Sequence, residues 1–418
     1  MLMTRSLCEA GHYFCAQAGP LRGMNHLDVT MTVKAYLEED ADTSLWGLTP
    51  RGRLQKMLSA MDGVELGDTE AAVAAGSDVL LLRADYVYDP RVLSGLLQAR
   101  NVVLRDPEDK GVIAVRTRLE GDRAAPPRLA EMPLQTLEAV TPDSVASGLQ
   151  SDLRKFDAPW VARADAHNSR QLENALYRAA YKGVTDLVTK WVWPIPARAV
   201  TRLCAYAGIR PNHVTSLSYV LTLLAGMLFW QGQYGLGLIC AWLMTFLDTV
   251  DGKLARVTLN SSQFGNLFDH LLDLIHPPFW YLAWGIGLAA DVPEGVYWLI
   301  FIGYIGGRLC EGAFKTAAPF SLFIWRPFDS INRLITARRN PNLILLTLAW
   351  LLGAPYAGLL LVMLWTLIST LVLAWRVVQA RRASRRGELS PWLSHVDPVA
   401  ERHRLTVRWF AFADGKRV

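Results

Sequence analysis

Cysteine is scarce in this chain of 418 residues, and no two cysteines form a C-x-x-C pair. This spacing argues against a disulfide framework and against a zinc site, and it favours free thiols in a reducing compartment. The first residues also lack an apolar core long enough for a signal peptide, so we expect the first soluble domain to stay on the cytoplasmic side. The five cysteines are Cys8, Cys15, Cys204, Cys240 and Cys310.

Hydrophobic residues make up 51% of the chain, but they are unevenly distributed. The first 190 residues have the composition of a soluble protein, whereas long apolar runs dominate residues 213–376 and a polar, basic stretch follows. A chain of this length has room for about two or three domains. We predict an N-terminal extension at 1–28, an α/β domain at 29–165, a linker with an interfacial amphipathic helix at 166–212, a transmembrane domain at 213–376 and a basic cytoplasmic tail at 377–418.

Six apolar segments predict an α-helical integral membrane domain of six transmembrane helices. The fifth segment is short, and we expect it to begin inside the preceding loop. The predicted segments are 213–230, 233–250, 264–288, 296–314, 341–353 and 355–376.

The loops predict the orientation of these segments. The connections W-Q-G-Q-Y, A-A-D-V-P-E-G and G-A-P contain no lysine or arginine, whereas the other connections and both flanks are basic. By the positive-inside rule, both termini lie on the cytoplasmic side of a membrane, which we expect to be a bacterial or archaeal cytoplasmic membrane. The basic residues on that side are Arg198, Arg202, Arg210, Lys253, Arg256, Lys315, Arg326, Arg333, Arg338, Arg339, Arg381, Arg382, Arg385 and Arg386.

Four aspartates interrupt the apolar sequence at the junction of the second and third segments. Asp248 and Asp251 are three residues apart and Asp269 and Asp273 are four apart, so each pair shares one face of a helix. Carboxylates in membrane-forming sequence are costly and are normally paired, metal-bound or functional. A cluster of four requires neutralisation by protons or divalent cations, and oxygen ligands suit Mg²⁺ or Mn²⁺. The alternative is a set of capping or salt-bridged acids at helix ends.

The stretch between the two pairs predicts a turn. Residues 260–263 read N-S-S-Q, which suits a connection between two antiparallel helices that would bring the four carboxylates together. Gly252 and Gly265 have no side chains beside the acids, so a ligand or the facing helix can approach closely. The junction of the second and third segments is one of the basic connections, so we expect the four aspartates to lie on the cytoplasmic side as well.

The pattern D-x2-D-G-x2-A-R-x8-G-x3-D-x3-D resembles the signature of the CDP-alcohol phosphotransferase (CDP-alcohol phosphatidyltransferase) family of integral membrane enzymes. Its fixed positions are all occupied, by Asp248, Asp251, Gly252, Ala255, Arg256, Gly265, Asp269 and Asp273. The resemblance implies an enzyme that moves a substituted phosphate group from a CDP-alcohol to an alcohol and releases CMP. It also implies two bound Mg²⁺ or Mn²⁺ ions.

The resemblance implies a role for each motif residue. Asp248, Asp251 and Asp269 would be metal ligands, and Asp273 would be the general base on the acceptor hydroxyl and could also contact a metal. Gly252 and Ala255 would leave room for cytidine and ribose, while Arg256 would pair with an aspartate or a phosphate. His270 and His276 are more simply structural histidines. The implied nucleotide-binding set is Asn212, Thr215, Asp248, Gly252, Ala255, Arg256 and Gly265.

Two features precede the first apolar segment. Trp191 and Trp193, followed by basic residues, predict a helix in the membrane interface, with an ordinary amphipathic linker as the alternative. Pro211, Asn212 and Thr215 then form a P-N-x-x-T patch, which is similar to one that many family members carry. Helix initiation and capping also explain this patch. Beside the aspartates we favour a supporting role near the nucleotide.

The loop after the fourth segment is rich in arginine. Guanidinium groups bind phosphate bidentately, so this loop could hold a phosphorylated acceptor. A basic loop that touches anionic lipid headgroups is an equal alternative. In related phosphatidylinositol-phosphate synthases a basic pocket holds the acceptor phosphate, which makes at least one of these residues an acceptor ligand by resemblance. The candidates are Arg308, Arg326, Arg333, Arg338 and Arg339.

The N-terminal region alternates between strand and helix patterns, which predicts an α/β domain. Strands are predicted at 29–37, 78–85 and 112–116, and helices at 51–61 and 90–98. The stretch around Asp85 resembles a sugar-nucleotidyltransferase domain, in which this aspartate would help to hold a metal. The segment 46–54 lacks the glycines of the nucleotide loop, and Lys56 matches the expected lysine only loosely. We therefore expect a degenerate domain that regulates, dimerises or docks a partner.

The two-part organisation is similar to proteins that fuse an inositol-phosphate cytidylyltransferase to a di-inositol phosphate synthase. It implies a CDP-alcohol donor, such as CDP-diacylglycerol, and a phosphorylated polyol acceptor, such as inositol phosphate or glycerol 3-phosphate. Membrane lipid is an expected partner, nucleic acid is not, and a homodimer stays open because family members are often dimers. A transporter that uses intramembrane acids and a non-catalytic membrane scaffold are the alternatives from other classes.

Overall fold

The structure is a computed structural model that describes residues 32–68, 70–260, 263–288, 290–398 and 400–412, without the side chains of 263–274. Two compact units make up the chain, the first formed by Met1–Gly148 with Ala158–Leu176 and the second by Leu149–Asp157 with Tyr177–Val418. The predicted extension at 1–28, with Cys8 and Cys15, lies outside the described residues. Cys204, Cys240 and Cys310 are free thiols.

The described residues contain ten strands and thirteen α-helices. The strands are β1 Val33–Glu38, β2 Val64–Leu66, β3 Asp78–Arg83, β4 Tyr86–Tyr88, β5 Val102–Arg105, β6 Val112–Arg118, β7 Glu138–Val140, β8 Leu149–Gln150, β9 Lys155–Phe156 and β10 Val161–Arg163. The helices are α1 Pro50–Ser59, α2 Pro90–Gln98, α3 Pro142–Val145, α4 Ser169–Ala179, α5 Pro194–Tyr206, α6 Pro211–Trp230, α7 Tyr234–Val257, α8 Gln263–Ile286, α9 Glu294–Lys315, α10 Pro327–Ile335, α11 Arg339–Leu351, α12 Pro355–Ser384 and α13 Leu405–Phe410.

The first unit is built on a mixed sheet with the strand order β2-β1-β3-β6-β5-β7. β1 runs parallel to β2 and β3, whereas β6 is antiparallel to β3 and β5. The apolar run of β3 is buried, which explains why its sequence reads as a continuous hydrophobic strand. Thr49 and Asp89 cap the first turns of α1 and α2, each of which begins with proline. The prediction of an N-terminal α/β region is confirmed.

The second unit is a helical membrane-type domain. Among the described residues, three helices are long and apolar enough to cross a membrane, namely α6, α7 and α12. Helices α8, α9 and α11 coincide with the other three predicted segments, but α11 has only 13 residues. A total of six spans therefore stays a prediction. α7 continues to Val257, beyond the expected end at 250, so the motif residues Gly252, Ala255 and Arg256 are helical.

The residues after α12 fold back into the second unit. Trp392, Leu393, Val407 and Phe410 are buried in a cluster that also contains Phe323. The Trp392 indole donates to Ser330 Oγ at 3.0 Å. The basic stretch that follows the last apolar segment therefore contributes apolar side chains to the core.

The short hairpin β8–β9 joins the same core through Gly183. The Gly183 amide donates to the Leu153 carbonyl at 2.8 Å, and the Phe156 amide donates to the Ala411 carbonyl at 2.7 Å. A Cβ at Gly183 would lie 2.5 Å from the Arg154 carbonyl oxygen and 2.6 Å from that of Phe410. Only glycine lets these three backbones approach so closely.

Candidate active site

Two of the four motif aspartates are fully described, and both lie on α7. Arg339 donates from Nη2 to Oδ2 of Asp248 at 2.5 Å. Asp251 is 7% exposed and accepts a hydrogen bond from Thr215 Oγ1 at 2.8 Å. Their spacing of three residues places both carboxylates on one face of the helix. Each is thus oriented by a side chain from another helix, since Thr215 belongs to α6 and Arg339 to α11.

The P-N-x-x-T patch forms the first turn of α6. Pro211 is its first residue, and Thr215 Oγ1 also lies 3.1 Å from the Pro211 carbonyl oxygen. Ser218 is buried and donates to the Met244 carbonyl at 3.4 Å, whereas Asn212 is exposed. The patch therefore combines helix initiation with a direct contact to Asp251, and the two interpretations of its sequence are compatible.

The other half of the motif lies on α8, which spans Gln263–Ile286. The side chains of Gly265, Asp269, His270 and Asp273 are outside the described residues, so their proposed roles stay predictions. His276 is described, and its buried ring packs at 4.8 Å against the edge of Trp280. Pro277 and Pro278 follow inside the same helix.

The described part of the motif fits a hard divalent cation. Asp248 and Asp251 offer only carboxylate oxygen, the ligand type that Mg²⁺ and Mn²⁺ prefer. Within the described residues no three metal-binding side chains cluster, which is consistent with a set completed from positions on α8 whose side chains are not described. Both carboxylates are already oriented by neighbours, as ligating carboxylates usually are.

Gly252, the residue after Asp251, is not tightly packed. At Gly252 a Cβ would find its nearest neighbour, Arg256 Nη2, at 3.7 Å, so the position is not tightly packed. Arg256 itself donates from Nη1 to the Ala180 carbonyl at 3.0 Å. The structure thus connects the motif arginine to the segment before α5, a partner that sequence reasoning did not anticipate.

The Lys253 side chain also contacts the segment before α5. Its ammonium group lies 3.9 Å from the centre of the Tyr181 ring, a cation–π contact, and the side chain is 5% exposed. Its electrostatic neighbours include Asp248 and Lys182. The lysine occupies a variable position of the motif, so the motif pattern gave no signal for this contact.

The five arginine candidates separate into different environments. Arg339 pairs with Asp248, while Arg308 and Arg338 both pair with Glu311, the former at 2.7 Å. Arg333 is 7% exposed. Arg326 is exposed and stacks at 4.6 Å on Trp325. The structure therefore brings Arg308, Arg333 and Arg338 into one cluster and leaves Arg326 outside it.

Asp186 is an electrostatic partner of the buried Arg333. It accepts hydrogen bonds from the Thr189 amide and hydroxyl at 3.0 and 2.9 Å and from Asn340 Nδ2 at 3.0 Å. Burial alone would raise the pKa of Asp186, but Arg333 and these hydrogen bonds lower it. Asp186 therefore stays ionised beside Arg333. Asp186 belongs to no recognisable motif in the linker sequence, so the sequence alone did not indicate its role.

The arrangement defines a helical membrane-type domain with carboxylates and arginines gathered around α7. Residues 209–314, from the start of α6 to the end of α9, match the family model of the CDP-alcohol phosphatidyltransferases. The matched segment is therefore a CDP-alcohol phosphatidyltransferase region, as the resemblance predicted, and the comparisons support a transferase.

Named relatives agree with this assignment. Archaetidylinositol phosphate synthase of Pyrococcus horikoshii is 28% identical over 195 residues, which is 46% of this chain and 94% of that protein. Cholinephosphotransferase 1 of Gallus gallus is 30% identical over 36% of this chain and 46% of its own length. The human cholinephosphotransferase 1 is 32% identical over 33% of this chain and 35% of its own length. The chain thus spans less than half of the cholinephosphotransferases.

Proposed function

We propose that this chain is a metal-dependent, membrane-embedded enzyme that transfers a substituted phosphate group from a CDP-alcohol to a phosphorylated polyol and releases CMP. The main support is the pairing of Asp248 with Arg339, because the preceding residue, Arg338, belongs to the cluster with Arg308 and Arg333. Carboxylates for the nucleotide end of the reaction and arginines for an acceptor phosphate are thus adjacent.

The aspartates are proposed to act as the family motif implies. Asp248, Asp251 and Asp269 would hold two Mg²⁺ or Mn²⁺ ions, with Asp273 as a further ligand. Bound ions supply neutralisation of the charge on the donor pyrophosphate. Thr215 orients Asp251 through its hydrogen bond, and Asp273 would take the proton from the acceptor hydroxyl. Gly252 leaves room for the nucleotide, since its neighbouring space is not tightly packed.

The donor and acceptor are proposed from the relatives and the charge of the site. The Pyrococcus horikoshii protein is named as a synthase of a lipid that carries inositol phosphate, whereas the cholinephosphotransferases are named for phosphocholine transfer. A cluster with more arginine than acid fits the first type of acceptor better, because a neutral alcohol needs no cation. We therefore favour inositol phosphate or glycerol 3-phosphate as acceptor and CDP-diacylglycerol or a similar lipid as donor.

The membrane arrangement is proposed to contain six spans, with both termini and the acids on the cytoplasmic side. α5 supports this topology, because Ile195, Leu203 and Tyr206 are exposed on one side while Ala197 and Cys204 are buried on the other. Such a helix suits the membrane interface.

The N-terminal unit is proposed to be a degenerate nucleotidyltransferase-like domain. Asp85 lies just after β3, but Arg83 binds its carboxylate bidentately at 2.9 and 2.6 Å, and Arg163 approaches at 3.2 Å. A carboxylate engaged by two arginines is a poor metal ligand. The stretch 46–54 begins with the buried Trp46 and continues into α1, so it does not form an open glycine-rich loop.

The test is CMP release by the purified protein in detergent. CDP-diacylglycerol is supplied with inositol phosphate, glycerol 3-phosphate, or the unphosphorylated alcohols, each with and without EDTA. We expect release with a phosphorylated acceptor that stops with EDTA and returns with Mg²⁺ or Mn²⁺. Release that survives EDTA would contradict metal dependence, and equal turnover of inositol and inositol phosphate would contradict the proposed acceptor class.

A further inference from the structure

Three arginines from separate parts of the second unit converge on one aromatic ring. The guanidinium carbons of Arg154, Arg333 and Arg338 lie 5.7, 5.4 and 5.6 Å from the centre of the Phe323 ring. Arg333 comes from α10 and Arg338 precedes α11, but Arg154 comes from the β8–β9 hairpin. All three arginines lie outside the segment 209–314 that matches the family model, and only Arg154 precedes it.

This cluster carries more positive than negative charge. Arg333 is more than nine-tenths buried, and its Nε and Nη1 atoms have no hydrogen-bond partner within the described residues. The nearby acids are already engaged, Glu311 with two arginines and Asp186 with Thr189 and Asn340. Two donor atoms without hydrogen bonds on a buried guanidinium are costly, so the cluster is suited to receive an anion.

Lys182 adds a further cation to the cluster. Burial, together with Arg154, Arg256, Arg333 and Arg338, lowers the pKa of Lys182 to about 7. Burial and Arg338 likewise lower the pKa of Arg154 to about 10. Both shifts have the direction expected for cations held together without a sufficient counter-charge.

The backbone at Arg154 is held in an unfavourable conformation. Its φ is 52°, in the left-handed region that glycine or asparagine normally occupies. Two hydrogen bonds fix this turn, from the Gly183 amide to Leu153 and from the Val184 amide to Arg154, at 2.8 and 3.1 Å. An arginine kept at a strained position, with its charge directed into a basic cluster, is typical of a functional constraint.

We propose that Arg154 and Arg333, with Lys182 as an electrostatic neighbour, bind the phosphate monoester of the acceptor and so make the β8–β9 hairpin a specificity-determining part of the transferase. This inference rests on the proposed function. A phosphate monoester brings up to two negative charges and several acceptor oxygens, which matches the two unsatisfied donors of Arg333 and the positive charge of Arg154 beside the same ring. Lys253 has both Lys182 and the motif carboxylate Asp248 as electrostatic neighbours.

The decisive variant is Arg154→Gly. It removes the guanidinium and also relieves the left-handed backbone, so loss of folding is not expected. The matched control is Lys110→Gly in the first unit, where an exposed lysine has a φ of 63°. Both changes remove one positive charge and one strained non-glycine residue, but only one of them affects the cluster.

For Arg154→Gly we expect the KM for the phosphorylated acceptor to rise by about tenfold to a hundredfold, the loss typical of one charged hydrogen bond. Arg154→Lys should recover part of this loss. Equilibrium binding of inositol 1-phosphate and of glycerol 3-phosphate to the protein in non-ionic detergent should weaken in parallel. Lys110→Gly should match the wild type, and the KM for the CDP-alcohol should stay unchanged in all variants.

Three outcomes separate the hypotheses. If the wild type releases no CMP with any acceptor, the proposed function fails. If the wild type is active but Arg154→Gly keeps the wild-type acceptor KM and binding, this inference alone is overturned. The third arm uses nanodiscs with and without anionic lipid. If Arg154→Gly changes only the response to anionic lipid, the cluster binds a headgroup and the inference is also overturned.

Discussion

Arg339 donates to Asp248 across 2.5 Å, and this pair links the first residue of α11 to the motif helix α7. Arg338, the preceding residue, pairs with Glu311 on α9. Two consecutive arginines therefore point to different acids on different helices. A divalent ion at Asp248 and the Arg339 guanidinium would share the same carboxylate, so their interactions with it compete.

Replacing Arg339 should strengthen metal binding. In Arg339→Gln the competing cation is absent, and a partly buried ion pair is worth on the order of 1 kcal/mol, so half-saturation by Mn²⁺ should need about fivefold less metal. Electron paramagnetic resonance of Mn²⁺ with the purified protein measures this directly. Arg381→Gln, at an exposed arginine on α12, is the control. Weaker binding in Arg339→Gln would show that the arginine supports the metal site.

Removing the carboxylate at Asp248 should have the opposite effect. We expect Asp248→Asn to raise the Mg²⁺ or Mn²⁺ concentration for half-maximal CMP release by at least about tenfold, because an amide is a weaker ligand for hard cations. Titration of activity with each metal tests this expectation. An unchanged metal dependence in a folded variant would argue against Asp248 as a ligand.

Asp273 should separate the chemical step from binding. If it is the general base, Asp273→Asn should lower kcat by about a hundredfold to ten-thousandfold while the protein stays folded in detergent. Single-turnover CMP release is the measurement, and circular dichroism is the check on folding. Turnover near the wild-type rate would remove Asp273 from this role.

The acceptor KM should depend on pH through Lys182. The pKa of Lys182 is lowered to about 7, mainly by burial and further by the arginines at 154, 256, 333 and 338. Lys182 is therefore charged below about pH 7 and becomes neutral above it, so attraction for an anionic acceptor weakens as pH rises. We expect the wild-type acceptor KM to increase between pH 7 and pH 9, beyond the protonation range of the phosphate itself.

The variant Lys182→Met isolates this effect. Its acceptor KM should already be about tenfold higher at pH 6.5, because one charged contact is missing, and it should change less between pH 7 and pH 9. Initial rates across this range, with saturating donor, give both curves. Parallel curves for the two proteins would assign the pH dependence to another group.

A stability prediction concerns the buried pair between α10 and α12. Arg376 binds Asp329 at 2.6 and 2.7 Å, and the two side chains are 3% and 0% exposed. Arg376→Met leaves a buried carboxylate without its partner and should cost about 3–5 kcal/mol. Thermal unfolding in detergent measures the loss. The double variant Arg376→Met with Asp329→Leu should recover most of it, and no recovery would mean that packing, not charge, is responsible.

The sequence predicted the elements with strong local signals. The Asp248–Asp251 spacing placed both acids on one helical face, and the apolar β3 run identified a buried strand. The helix α7 continues seven residues past the predicted membrane segment at 233–250, because Asp251, Lys253 and Arg256 lower the hydropathy but not the helical hydrogen bonding. Hydropathy indicates which part of a helix lies in the membrane, whereas the backbone hydrogen bonds determine where the helix ends.

The partners of the site could not be predicted in the same way. Arg154 and Lys182 belong to segments without apolar periodicity. Arg154 shares the Phe323 ring with Arg333, and Lys182 is an electrostatic neighbour of both, only because residues far apart in sequence fold together. Arg338 and Arg339 looked equivalent in the sequence, yet a helix start directs them to Glu311 and Asp248 respectively. Long-range packing decides such differences, and one sequence carries little signal for it.

The return of the residues after α12 sets an order of events during synthesis. Phe410 and Ala411 pack beside Gly183 and the hairpin that bears Arg154, and Lys190 lies over the Phe410 ring at 5.6 Å. The contacts of Asp248 and Asp251 need residues no later than Arg339, but the hairpin gains its hydrogen bond to Ala411 only after residue 411 has left the exit tunnel. The contacts of the motif carboxylates are therefore available for folding before the support of the hairpin is complete.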